Sequence, residues 1–190
     1  MTMDNTILKK VLIWFWSIFA LGLASIILIF WLITKGALGY LPPLDELQNP
    51  KNTFATEVIS SDMQLLGRYY RQENRVGGNY EDISPNMINA LIATEDARFY
   101  NHTGIDFKSL FRAIIKMGRA GGGSTITQQL AKQLWSPRAN NIFKRALQKP
   151  IEWVIATKLE RLYSKEEILT MYLNQFDFLY NAVGIKSAAQ

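Results

Sequence analysis

The stretch "NALIATEDARFYNHTG", residues 89–104, decides how the chain is read. Laid on a helix at 100° per residue, Ile88, Leu91, Ile92, Glu95, Phe99 and His102 fall at i, i+3, i+4, i+7, i+11 and i+14 and share one face. Glu95 therefore interrupts an apolar stripe, whereas Asp96 points about 100° away from it. The only histidine of the chain closes the same stripe. Ser84 and Pro85 supply an N-cap and first-turn pair for this helix.

Further helices follow on the carboxyl side. Asp106 is placed to cap a second one, with Phe107, Leu110, Phe111 and Ile114 on one side and positive charge from Arg112, Lys116 and Arg119. The glycines of "AGGG", residues 120–123, break that pattern and predict a mobile joint. Next, "STITQQLAKQLW" divides by angle into an apolar face of Ile126, Leu130 and Leu134 and a polar face of Thr125, Gln128, Gln129 and Lys132. The polar face reads equally as a ligand surface or as a solvated one, and Ser124 after three glycines resembles an anion-binding helix start. A helix over about 142–163 carries Arg145, Lys149 and Glu152 at i, i+4 and i+7, with Pro150 predicting a kink or break near residues 148 and 149. Ser164 and Glu167 form a capping box for a helix through "ILTMYLN".

On the amino side, Phe54, Thr56 and Val58 alternate, "SSD" turns, and residues 65–70 are apolar and aromatic, which predicts a short hairpin. Before that, "KGALGYLPPLDELQNPKN" reads as a linker. Residues 11–34 hold no charged side chain, and 24 helical residues span about 36 Å, enough for a bilayer core of about 30 Å. Trp14, Trp16 and Trp31 lie towards the ends of that run. Lys9 and Lys10 before it, against Lys35 after it, favour a cytoplasmic amino terminus. A cleaved signal peptide is the competing reading, but the run is longer than a usual h-region and no A-x-A site follows.

Composition narrows the chemistry. The chain has 190 residues, a formal charge of +5 and an isoelectric point near 9.4, a bias that suits an anionic partner. With no cysteine and one histidine, thiolate metal sites are excluded and a Ser-His-Asp triad is hard to build. Catalysis must rest on carboxylates, lysine, arginine and hydroxyls.

In order, these stretches resemble glycosyltransferase family 51, the peptidoglycan glycosyltransferases found as the amino-terminal domain of class A penicillin-binding proteins and as monofunctional membrane enzymes. Its first motif, E-D-x-x-F-x-x-H-x-G, is matched by Glu95, Asp96, Phe99, His102 and Gly104. Its second, G-G-S-T-I-T-Q-Q-x-x-K-N, appears as "GGSTITQQLAKQ", with Gln133 replacing the asparagine. Of the third, R-K-x-x-E, "QKPIE" keeps Lys149 and Glu152 but has Gln148 at the arginine, and Arg145 one turn earlier is the expected substitute. The fourth is similar to "SKEEILTMYLN", and the fifth is altered to "FDFLYNAVGIKSAA", with Asp177, Leu179, Tyr180 and Asn181 at positions that are commonly aromatic or glycine. The similarity covers about residues 54–190, and the family domain is expected to continue past Gln190.

The resemblance implies a mainly α, lysozyme-like glycosyltransferase domain with a small β-hairpin near its start, preceded by one transmembrane helix. The expected organisation is a cytoplasmic tail over 1–10, an anchor over 11–34, a linker over 35–53 and the domain over 54–190. It also implies the substrate, lipid II, polymerised into glycan strands with release of undecaprenyl pyrophosphate. Glu95 is the expected general base, its pKa raised by a dry setting. Lys132, Lys149 and Arg145 are assigned to diphosphate and donor binding. Asp96, Ser124, Thr125, Gln128 and Gln129 are assigned to substrate contacts, with Ser124 capping its helix as the other role open to it. Phe99, His102 and Gly104 are structural, His102 fixing the turn by hydrogen bonds. Glu152 is the second catalytic carboxylate, its role open between orienting a cation, holding a divalent metal such as Mg2+ or Mn2+, and assisting the leaving group.

Expected partners are the growing glycan, the bacterial cytoplasmic membrane and cell-wall synthesis proteins, with no nucleic acid. The catalytic domain is expected on the extracytoplasmic side. A lysozyme-like hydrolase or a catalytically silent membrane scaffold are the alternatives, and the lysines on two helices argue against the hydrolase, since a neutral glycan needs no diphosphate clamp.

Overall fold

A computed structural model describes residues 5–50, 56–69, 74–75, 77–116, 122–136, 142–179 and 182–189. Phe54, Arg119, Gly121, Tyr180 and Asn181, named above, lie outside them. The chain divides into two compact units, Met1–Leu41 and Pro42–Gln190. The first is built on α1 (Asn5–Thr34), which is long and apolar enough to cross a membrane and carries exposed side chains along nearly its whole length. Its hydroxyls at Ser25 and Thr34 donate to the carbonyls of Leu21 and Trp31, so neither needs a partner outside the helix.

The second unit is mainly helical. Its first helix, α2 (Leu44–Gln48), falls within the stretch read as a linker. Leu47 is buried, the Trp135 indole donates to Glu46 Oε1 at 2.8 Å, and the Tyr163 phenol lies 2.8 Å from the carbonyls of Leu47 and Gln48. Then β1 (Thr56–Ile59) and β2 (Leu65–Tyr69) pair antiparallel as the expected hairpin, Thr56 opposite Tyr69, with a bulge between Val58 and Ile59. Ser60 and Asp62 hydrogen-bond across the turn, where Met63 takes a left-handed φ of 63°.

The helices that carry the core are α5 (Ile126–Trp135), α6 (Ile142–Leu162) and α7 (Lys165–Gln175), with α5 packed on both of the others. Ile126, Leu130 and Ala131 meet Ile155, Leu159, Ile168, Leu169 and Leu173, all fully or nearly fully buried. Each large aliphatic side chain so placed contributes about 1.5–3 kcal/mol. That burial explains why Pro150 does not break α6. The proline removes one backbone hydrogen bond, but the half of the helix that follows it is held to the core by Ile151, Ile155 and Leu159. α7 opens with the predicted capping box, Glu167 N–H to Ser164 Oγ at 3.2 Å and Ser164 N–H to Glu167 Oε2 at 2.7 Å.

Short parallel strands β3 (Asn74–Arg75) and β4 (Ala182–Val183) tie the start of the unit to its end, followed by α8 (Ile185–Ala188). Asn174 clamps this join: its amide accepts from Gly78 N–H at 3.0 Å and donates to Gly78 O at 2.9 Å.

The helix read from the opening stretch, α3 (Pro85–Glu95), is shorter than its angular pattern. It stops at Glu95; Phe99 lies in a 3-10 turn, and His102 follows in extended backbone. Ser84 takes the N-cap position without a side-chain cap bond, while Pro85 occupies the first turn as expected. α4 (Phe107–Ile115) follows, with Asp106 accepting from the N–H groups of Lys108 and Ser109 at 3.1 Å each. It buries none of its residues, and Phe107, Phe111, Ile114 and Ile115 are 63% to 71% exposed. Of the glycine joint, Gly122 is open, but a Cβ on Gly123 would stand 3.1 Å from Leu110 Cα, so this end of the joint is packed against α4.

Candidate active site

The carboxyl end of α3 and the amino end of α5 face each other across a cavity of about 350 Å³, lined by Glu95, Asp96, Arg98, Asp106, Ser109, Arg112, Ser124, Thr125 and Gln129 among others. Five residues expected at the site from sequence therefore converge: Glu95, Asp96, Ser124, Thr125 and Gln129. Lys132 and Arg145 are exposed on α5 and α6 and are not among its lining residues.

The adjacent acidic residues play opposite parts. Glu95 is exposed, which corrects the expectation of a dry base in an apolar stripe. The physical reason is the helix end: α3 stops there, so nothing continues the stripe over the glutamate. Its Oε2 accepts from Gln129 Nε2 at 2.8 Å. Asp96 is the buried one, 6% exposed. Its carboxylate meets His102 Nε2 at 2.9 Å and accepts the Ile126 N–H, the first of α5, at 3.1 Å. His102 Nδ1 accepts the Gly104 N–H at 3.2 Å, which leaves the ring proton on Nε2, facing Asp96. His102 thus bonds within the turn and to the start of the motif through both ring nitrogens.

Gly104 is the reason the motif ends in glycine. Its φ is +91°, and a Cβ would stand 2.9 Å from the Ala156 carbonyl on α6. Its own carbonyl accepts from Thr125 Oγ1 at 2.8 Å and Gln128 Nε2 at 3.0 Å. This corrects the polar face assigned to α5. Thr125 and Gln128 are buried, and Thr125, rather than Ser124, caps the helix by accepting the Gln128 N–H at 3.2 Å. Polar side chains turned inwards need partners, and a backbone carbonyl of the first motif provides one. Asp96, Thr125 and Gln128 therefore direct their polar atoms at the protein rather than at a substrate.

Ser124 is left to the cations. Lys149 Nζ donates to Ser124 Oγ at 3.0 Å and lies 3.0 Å from Glu152 Oε2. Lys149 is half exposed, with 50% of its side chain accessible, whereas Glu152 is 2% exposed. The contact between them is an ion pair without hydrogen-bond alignment, so Glu152 Oε2 is buried with no hydrogen-bond partner among the described residues. An ammonium beside Glu152 does not suit a divalent cation, and no group of three or more histidine, aspartate or glutamate side chains could hold one among the described residues.

Two sets of residues at this site escaped the sequence reading. Arg98 forks onto Asp106 through Nε at 3.0 Å and Nη2 at 2.7 Å, and Nη2 also donates to Ser109 Oγ at 2.9 Å. Burial would raise the Asp106 pKa, but hydrogen bonds from Ser109 and the Arg98 guanidinium outweigh it and hold that carboxyl below its ordinary value. Beneath the first motif, Lys165 Nζ donates to His102 O at 2.8 Å, pairs with Glu160 at 2.7 Å and stands 4.3 Å over the Phe99 ring. Glu160 also accepts from Thr127 Oγ1 at 2.6 Å, joining α5, α6 and α7. Lys165 stood in the sequence only as part of the fourth motif, "SKEEILTMYLN".

A helical domain with a carboxylate held at the rim of a cleft, and an ammonium bonded to Ser124 on the same lining, fits an enzyme of group transfer. Residues 62–190 match the family model described as Transglycosylase, and the chain belongs to that family. This bears out the resemblance drawn from the motifs and identifies the second unit as an enzyme domain.

The chain is 39% identical over 150 residues to penicillin-binding protein 2a of Streptococcus pneumoniae, covering 77% of this chain and 19% of that one. It is 38% identical over 156 residues to penicillin-binding protein 1A of Escherichia coli, covering 79% and 18%. Against penicillin-binding protein 1F of Bacillus subtilis the identity is 46% over 121 residues, covering 62% and 16%. The chain thus spans less than a fifth of the length of these relatives.

Proposed function

We propose that the protein is a peptidoglycan glycosyltransferase that polymerises lipid II into glycan strands and releases undecaprenyl pyrophosphate. The observation that carries this reading is the placement of Glu95 at the cavity rim, held by Gln129, with Lys149 on Ser124 at the neighbouring helix start. The acceptor 4-hydroxyl attacks the anomeric carbon of the growing chain and gives its proton to Glu95. The new C–O bond forms as the bond from that carbon to the diphosphate oxygen breaks, and the electron pair leaves with the diphosphate. Arg112 on the cavity wall and Lys149 on Ser124 supply the positive charge that stabilises it, Arg98 being committed to Asp106. Attack opposite the leaving group inverts the anomeric centre.

The catalytic region is residues 54–190 and the anchor 11–34, with the amino terminus cytoplasmic and the domain on the outer face of the bacterial cytoplasmic membrane. A substrate that stays in the bilayer favours an enzyme held at its surface. The exposed apolar side chains of α4, beside Lys108, Arg112 and Lys116, suit insertion at the level of the headgroups.

Vesicles carrying the full chain and labelled lipid II test the reading. The expected result is polymer together with free lipid pyrophosphate. Absence of polymer, or shortening of preformed glycan strands in its place, overturns it.

A further inference from the structure

Behind Glu95 lies a hydroxyl that the reaction so far leaves without a task. Tyr172, in the middle of α7, is 1% exposed, and its ring rests on Phe176 with centroids 5.6 Å apart. Its phenol oxygen is 3.1 Å from Gln129 Oε1. A carbonyl oxygen only accepts, so the phenol donates. The opposite end of the same amide, Nε2, then faces Glu95 Oε2 at 2.8 Å and donates in turn. Reversing the amide would set its oxygen against a carboxylate, two acceptors face to face. The phenol at one end and the carboxylate at the other therefore select the same amide orientation.

We propose that Tyr172 is a positioning residue for glycosyl transfer, acting on Glu95 through Gln129. The need for one follows from where Glu95 stands. An exposed glutamate on the last turn of a helix samples several rotamers, and holding it costs side-chain entropy at every turnover. Gln129 alone would not hold it, because a free amide rotates as well. Anchored by a buried phenol on a third helix, the amide keeps Nε2 on Oε2 and leaves Oε1 to receive the acceptor proton. Burial, with the Glu95 charge adding to it, pushes the Tyr172 phenol up to about 12, so it stays a donor across the neutral range. The inference rests on the proposed transferase reading and deepens it: α7 contributes to catalysis without lining the cavity beside Arg112 and Ser124.

Tyr172→Phe keeps the ring and removes only the hydroxyl. In vesicles with lipid II, at a temperature where the full chain stays folded, kcat should fall roughly three- to tenfold, the effect of one lost hydrogen bond, while KM stays at its wild-type value. In a Gln129→Ala background the same substitution should cost nothing further, because the relay is already cut. An unchanged kcat in Tyr172→Phe overturns the proposal, and so does a loss that persists undiminished in Gln129→Ala. A rate loss that is matched by a smaller folded fraction at the assay temperature also overturns it, since that marks a packing role. If the wild-type chain polymerises and Glu95→Gln does not, any of these results sinks the Tyr172 proposal alone; a wild-type chain without polymer sinks the transferase reading with it.

Discussion

Glu95→Gln should lower the rate of glycan polymerisation by about 10²- to 10⁴-fold, the usual contribution of a positioned general base. The substitution preserves shape, and the new side chain still offers an oxygen to Gln129 Nε2, so the melting temperature should not move. Initial rates of polymer formation, with substrate binding measured separately, check both halves. An unaltered rate would shift the base to another group, and the neighbours are poorly placed for that. Asp96 has both a ring N–H and a backbone N–H on its carboxylate, and His102 uses both ring nitrogens within the protein. Glu152 is buried, and Lys149 Nζ already stands 3.0 Å from its carboxylate.

Asp96→Ala, one residue further along, should behave in the opposite way. The His102 Nε2–H and the Ile126 N–H would lose their shared acceptor, and both residues are almost wholly shielded from solvent. Two buried donors left without partners cost about 1–3 kcal/mol each, so a total of roughly 2–6 kcal/mol is expected. Chemical denaturation of the full chain in detergent should show a lowered midpoint with little change in slope. Activity should fall only as the folded population falls. A midpoint equal to that of the wild type would show that the buried pair does not hold the first motif to α5.

The contrast between these two residues also measures how far the sequence could be read. Periodicity located α3 and put Glu95 on its face, but it could not find the helix end, because no glycine or proline marks it. The stop is made at long range, by Asp96 bonding to Ile126, 30 residues later. Local signals succeeded where the partner is also local: Asp106 caps α4, and Ser164 with Glu167 opens α7. They failed for Thr125 and Gln128, which look like solvated polar residues until the carbonyl of Gly104 is brought over them by the fold. Of the kink or break expected at Pro150, the break does not occur: α6 runs on past the proline, and the core face that follows is assembled from three helices. Tyr172 gave no signal at all, because a tyrosine in an apolar motif reads as packing until its hydroxyl is seen to point at Gln129.

The first amide of a helix has no carbonyl behind it and ordinarily trades its hydrogen with water within the fast fraction. At Ile126 that amide is sealed onto the Asp96 carboxylate, on a residue that is itself fully buried. Its hydrogen should therefore exchange on the slow timescale of Leu130 in the core. Hydrogen–deuterium exchange resolved at residues 126 and 130 would read this directly. Ile126 then becomes a built-in reporter: its exchange rate counts how often the loop at 96–104 lets go of α5, an opening that no change in secondary structure would register.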